Sequence, residues 1–233
     1  MITDKNRDFL TQYGSKAHID ELIKDPKTSM YVAMNNPAFN HTHIQKILES
    51  RHNTLHEILE HPSFPIKASP EQVTELSKSK DPKILGNLSS KYGLLKPHHI
   101  ENILNHLSNE NYDYDTITSM NIANSIDATP EQFDRMVGMN NIHMNQTLSR
   151  NRCLPEKHIP KFMNSSTVIN RMNISGHPKL TPEHMETLSN DENEFVRSAL
   201  AKRKDLPVSI IHKLAEDPSR QVRSVISVEH AGK

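Results

Sequence analysis

Apolar residues recur along this chain in short helical stripes, never in long runs. Over Leu206 to Ile226, LPVSIIHKLAEDPSRQVRSVI places Ile210, Ile211 and Leu214 on one face of a first short helix, with Pro207 at its first turn. Asp217-Pro218 ends that helix, and Val222, Val225 and Ile226 form the apolar face of a second. A helix pair this small cannot bury both stripes without neighbours, and the rest of the chain supplies them. The pattern recurs, degraded, back to the N-terminus, with units anchored at Lys16, His41, Pro70, Pro97, Pro130, Pro155, Pro182 and Pro207, at spacings of 25, 29, 27, 33, 25, 27 and 25. This is too short for two full helices per unit, which take about 34 residues in tetratricopeptide repeats and about 40 to 47 in HEAT repeats. One helix of each pair must therefore be short, and Pro160 forces the first helix of its unit to start late.

Between units the turns Asn36-Pro37-Ala38-Phe39, His61-Pro62-Ser63-Phe64, Cys153-Leu154-Pro155, His177-Pro178-Lys179-Leu180 and Asp205-Leu206-Pro207 each tuck one apolar side chain back into the layer. Ahead of the array, Thr3 to Tyr13 reads as a polar helix with Phe9 and Leu10 as its apolar contact and Gly14 as a left-handed stop. The expected organisation is an N-terminal capping helix over residues 1–15, a repeat array over 16–226 and a tail over 227–233, all-α throughout.

LSNDENEFVRSALAKRKDLP and LAEDPSRQVRSVI resemble repeats of the leucine-rich repeat variant family and, more loosely, HEAT repeats. The resemblance is close over the last two units, recognisable over about Pro130 to Pro182, and a matter of pattern before that. It implies a right-handed solenoid alternating an α-helix with a short, partly 3₁₀ helix, and says little about activity. Some members of the variant family carry an iron–sulfur cluster. This chain has one cysteine, Cys153, so no cluster and no other cofactor is expected.

Composition agrees with a thin, layered core: 34% of the 233 residues are hydrophobic and none is Trp. Lys plus Arg and Asp plus Glu both number 28, so the net field gives no reason to expect nucleic acid or an anionic membrane. The lone cysteine suits a reducing compartment, the start MITDKNRDFL has no apolar leader core, and no run reaches the length of a membrane span, which together suggest a cytoplasmic protein. The asparagine- and lysine-rich, glycine-poor composition suits a bacterial or bacteriophage source.

Candidate chemistry is sparse. Arg51 to His61 nearly spells the zinc-protease pattern H-E-x-x-H, but Glu60 stands where the second His belongs. His52, His56 and Glu60 do follow at four-residue steps, yet Asn53 reads as the helix N-cap and leaves His52 outside, so no metal is expected. Among 15 histidines, those at His18, His43, His98, His99, His158, His184 and His212 flank the apolar stripes as boundary and rim residues, with collective titration near pH 6.5 as the functional alternative. Arg171, Arg197 and Arg223 stand 26 residues apart, with Asp191 and Asp217 each six residues ahead of the latter two and Ser165 ahead of the first. HEAT-type repeats use such pairs to tie layers, so the column reads as a structural ladder before it reads as a basic groove for phosphates. Lys202, Arg203, Lys204 and Arg220 are left over as a basic patch for a partner. The spacing of 33 comes from SNENYDYD, Ser108 to Asp115, read as a loop whose Tyr112, Asp113, Tyr114 and Asp115 suit a basic partner surface. No phosphate-binding glycine motif or nucleophile elbow occurs. The function expected is non-enzymatic binding of another protein as adaptor or inhibitor, and the alternative is a nucleic-acid-binding module or a DNA glycosylase built on HEAT-like repeats.

Overall fold

The computed structural model describes residues 2–25, 27–50, 54–91, 93–107 and 113–230. Among these the chain is all helical, without strands, and no helix is long and apolar enough to cross a membrane. Helix α1 (Arg7–Tyr13) precedes eight helix pairs. The pairs are α2 (Lys16–Leu22) with α3 (Met30–Ala33), α4 (His41–Ser50) with α5 (Leu55–Glu60), α7 (Pro70–Ser77) with α8 (Pro82–Ser89), and α9 (Pro97–Leu104) with α10 (Asp113–Ala123). They continue as α11 (Pro130–Gly138) with α12 (Ile142–Leu148), α13 (Ile159–Met163) with α14 (Val168–Ile174), α15 (Pro182–Ser189) with α16 (Glu194–Ala201), and α17 (Val208–Ala215) with α18 (Arg220–Glu229); a one-turn helix, α6 (Phe64–Lys67), stands between the second and third pairs.

Six of the eight anchors are the first residue of a helix, and in three of them Pro there follows a side-chain cap. Ser69, Thr129 and Thr181 accept the amides of Gln72, Gln132 and His184, and Pro at the next position loses no bond. Pro207 sits one residue ahead of α17, and after Pro155 the chain first makes a 3₁₀ turn, Glu156–His158, before Pro160 enters the first turn of α13.

The chain forms two compact units, residues 1–122 and 123–233. In the first, α1 packs on α3, α3 on α5, α5 on α8, and α7 on α9; in the second, α12 packs on α14, α14 on α16, α16 on α18, and α15 on α17. Within each unit, then, second helices stack on second helices, α7 on α9 and α15 on α17 do the same for first helices, and the apolar stripes are buried. Ile210, Ile211, Leu214, Val222 and Ile226 are buried, as are Phe39, Phe64, Leu154, Leu180 and Leu206 from the inter-unit turns.

Three expectations change. The N-terminal helix begins only at Arg7, after a turn in which Asn6 and Arg7 donate to the Thr3 carbonyl, and Phe9 is exposed against Tyr13 while Thr11 is buried. Gly14 is extended, not left-handed; it is required because a Cβ would come within 2.3 Å of the Leu10 carbonyl oxygen, the acceptor of the Gly14 amide. Gly14→Ala should therefore destabilise the first unit by about 1–3 kcal/mol through overpacking, read as a lower denaturation midpoint. Finally, α18 runs on through Glu229, so Ser227 to Glu229 are helix rather than tail.

Candidate functional site

The arginine column exists as a ladder, with partners one layer removed from those expected. The Asp191 carboxylate pairs with Arg171: Nε donates to Oδ2 at 2.8 Å and Nη2 to Oδ1 at 3.1 Å. The Arg197 fork takes Asp217 likewise, at 2.6 and 2.9 Å, while its Nη1 donates to the Asp191 backbone carbonyl at 2.7 Å. The six-residue spacing is thus a bond from arginine to backbone within a layer, and the carboxylate belongs to the arginine 20 residues earlier. Arg171 Nη1 repeats the pattern on the Ser165 carbonyl. Each Asp also caps the turn it occupies, Asp191 Oδ1 accepting from the Asn193 amide and Asp217 Oδ1 from the Ser219 amide, both near 2.9 Å. Burial opposes ionisation of Asp217, and the Arg197 and Ser219 bonds outweigh it, holding the carboxyl below its ordinary value. Sequence spacing missed a third tie of this kind: Arg7 Nε and Nη2 both reach Asp25 Oδ2 at 2.9 Å, and Asp25 Oδ1 accepts from the Lys27 amide.

A second ladder runs through the turns, where sequence reasoning registered only the apolar residue. Asn151 Nδ2 donates to the carbonyls of Ala123 and Ser125, His177 Nε2 to that of Asn151, and Arg203 Nη1 to those of Ser175 and His177. Asn36 and His230 do the same to earlier turns. The signal was there as a polar residue every 26 positions through 151, 177 and 203. Arg203 is consequently no free partner residue: its side chain is 8% exposed, and its other nitrogens chelate Asp205. Lys204 pairs with Glu229, whereas Lys202 and Arg220 are exposed.

Histidine has a structural use at the third position of the first helices. His18, His43, His99 and His184 each accept an N-cap backbone amide on Nδ1, the place that Gln72 and Gln132 fill with Oε1. This requires a neutral ring with the proton on Nε2, and in His99 that nitrogen lies 3.0 Å from Thr74 Oγ1. Burial pushes His99 down to about 4, with His98 and Lys96 adding repulsion; burial takes His177 to about 4 as well, beside the cations Lys179, Arg203 and Arg152. His43 and His61 are lowered by burial too.

His52 lies outside the described residues; His56 and Glu60 stand on α5, and among the described residues no three His, Cys, Asp or Glu side chains converge as a metal site. Tyr112 also lies outside them. Asp113, Tyr114 and Asp115, expected in a loop, form the first turn of α10, and Asp115 is buried, which removes it from any contact surface.

What the second unit does expose is an apolar ridge. Ile142, Ile169 and Phe195 stand in the first turns of α12, α14 and α16, which pack in succession, and are 55%, 47% and 50% exposed. Single exposed apolar side chains are ordinary, but recurrence at one turn of three stacked helices is not. Among the described residues the chain is all helical, and each unit is built of short helix pairs tied by polar bonds. No protein-family model, curated protein or solved structure matches the chain, so its own repeats are the frame for reading it.

Proposed function

We propose that this chain is a non-enzymatic protein-binding scaffold, a right-handed solenoid of short repeats akin to the leucine-rich repeat variant proteins, acting in the cytoplasm as an adaptor or inhibitor through one face. The observation that carries the reading is the ridge of Ile142, Ile169 and Phe195, apolar area held on rigid helices and left to water. The polar groups that look chemical in the sequence support it from the other side: Arg171 and Arg197 of the basic column, and Arg203 outside it, have their donors committed inside the fold, which leaves Arg223 alone of the column to meet a phosphate backbone.

The test is capture from nuclease-treated lysate by wild type and by an Ile169→Ser/Phe195→Ser variant. Both sites are half exposed, so the variant should melt within about 1 kcal/mol of wild type. A bound protein should survive nuclease and be lost by the variant. Retention of nucleic acid alone, or a partner indifferent to the substitutions, would overturn the reading.

A further inference from the structure

Three arginine forks in this fold hold an aspartate of the same description. Arg7, Arg171 and Arg197 each direct Nε and Nη2 at a carboxylate, and each of Asp25, Asp191 and Asp217 uses its Oδ1 to accept the amide two residues on, which for Asp191 and Asp217 is that of the N-cap residue, Asn193 or Ser219, of the following helix. A fourth arginine repeats the mounting without the occupant. Arg223 stands 26 residues after Arg197 and holds its Nη1 on the carbonyls of Asp217 and Pro218 at 2.6 and 2.9 Å, as Arg197 does on those of Asp191 and Glu192. Its Nε and Nη2 meet no carboxylate among the described residues, and the residue is exposed. The guanidinium lines an open pocket of about 490 Å³ shared with Ala215, Arg220, Ser224, Ile226 and Ser227. Arg220 adds a second positive charge, the serines add hydroxyls, and Ile226 with Ala215 gives an apolar floor.

We propose that Arg223, with Arg220 beside it, is a receptor for an aspartate two residues ahead of the N-cap of a helix in a partner protein. The inference rests on the reading of the chain as a protein-binding array and supplies a recognition chemistry for it. A guanidinium fork matches a carboxylate in two parallel bonds, and here the fork is already fixed by its third nitrogen, so little side-chain freedom is lost on binding. The occupant is specified by the internal copies: an Asp whose second oxygen is engaged in its own turn, followed by a helix whose first residues pack on the floor.

The probe is a blocked peptide carrying residues 216–229 of this chain, EDPSRQVRSVISVE, which contains one such Asp, compared with the same peptide carrying Asn in its place. Binding is followed at the Arg223 Nε–H resonance of the full ¹⁵N-labelled chain, assigned by its loss in Arg223→Lys, and in both proteins at the backbone amides of Ser224 and Ser227, which line the same pocket. The Asp peptide should shift that resonance saturably, and the Asn peptide should bind about tenfold more weakly, the usual worth of a charge-assisted bond. Arg223→Lys keeps the charge and loses the fork, and should erase the preference while lowering the melting temperature by only a few degrees for the lost Nη1 bonds, so that the variant stays folded under the binding conditions. Equal binding of the two peptides, or a silent Arg223, would overturn the assignment. So would an Arg223 shift that follows protein concentration without peptide, which would make a second copy the occupant. Because the ridge at Ile169 and Phe195 is untouched here, a failed fork with ridge-dependent capture intact removes this inference alone, and the reverse result removes the functional reading alone.

Discussion

Arg197→Ala is expected to destabilise the second unit by about 3 kcal/mol, because it leaves the Asp217 carboxylate, 5% exposed, without its fork. The loss exceeds that of a surface pair because both partners are buried, the arginine being 12% exposed, and because Nη1 also releases the Asp191 carbonyl. Asp217→Ala should cost a similar amount, since it strands the guanidinium and uncaps the Ser219 amide. The decisive measurement is the double-mutant cycle by chemical denaturation. Arg197 and Asp217 share one contact, so the double variant should lose clearly less than the sum of the singles. Arg197 with Asp191 should come out closer to additive, because Arg197 touches only the backbone of Asp191 and that carboxylate belongs to Arg171. Strong coupling to Asp191 and none to Asp217 would mean that the tie lies within one layer, as the six-residue spacing alone suggests.

That contrast shows what the sequence could and could not disclose. Helix starts were legible because Pro at a first turn is a local signal, and the buried stripes because helical periodicity is equally local; the Ser and Thr caps ahead of Pro70, Pro130 and Pro182 were not read. The column of arginines was legible as a repeat. Its partner was not, since spacing places Asp191 and Arg197 near each other but cannot say whether the fork points back to its own turn or onward to the next layer. The turn ladder of Asn151, His177 and Arg203 escaped for a related reason: Asn, His and Arg share no side-chain chemistry until their common acceptor, the backbone of the preceding turn, is in place. Asp115 was misplaced because a run of acids and asparagines reads as a loop, and only the start of α10 at Asp113 puts it inside. The ridge was unreadable residue by residue, as Ile142, Ile169 and Phe195 look like ordinary members of apolar stripes.

The histidines set the second large effect, a loss of stability on mild acidification. His99 and His177 titrate at about 4 in the fold and near 6.5 once unfolded, so the unfolded chain binds more protons between those values. Their contribution is complete above about pH 6.5 and is lost progressively as pH falls toward 4, up to about 3 kcal/mol for each group. His43 and His61, also lowered by burial, act in the same direction. The carboxylates act lower: Asp217 is held below its ordinary value, so its share persists until pH drops beneath about 4. The repeats themselves supply the control substitutions. Asn151 makes in its turn the bonds that His177 makes in the next, its Nδ2 donating to preceding carbonyls and its Oδ1 accepting from the Cys153 amide, as His177 Nδ1 accepts from that of Lys179. Gln72 and Gln132 likewise stand where His99 stands, accepting the N-cap amide. A His99→Gln/His177→Asn protein should therefore fold, match wild type near pH 7.5 within about 1–2 kcal/mol, and melt with a much flatter dependence between pH 6.5 and 4.5. Parallel curves for the two proteins across that window would place the acid lability in groups other than these buried rings.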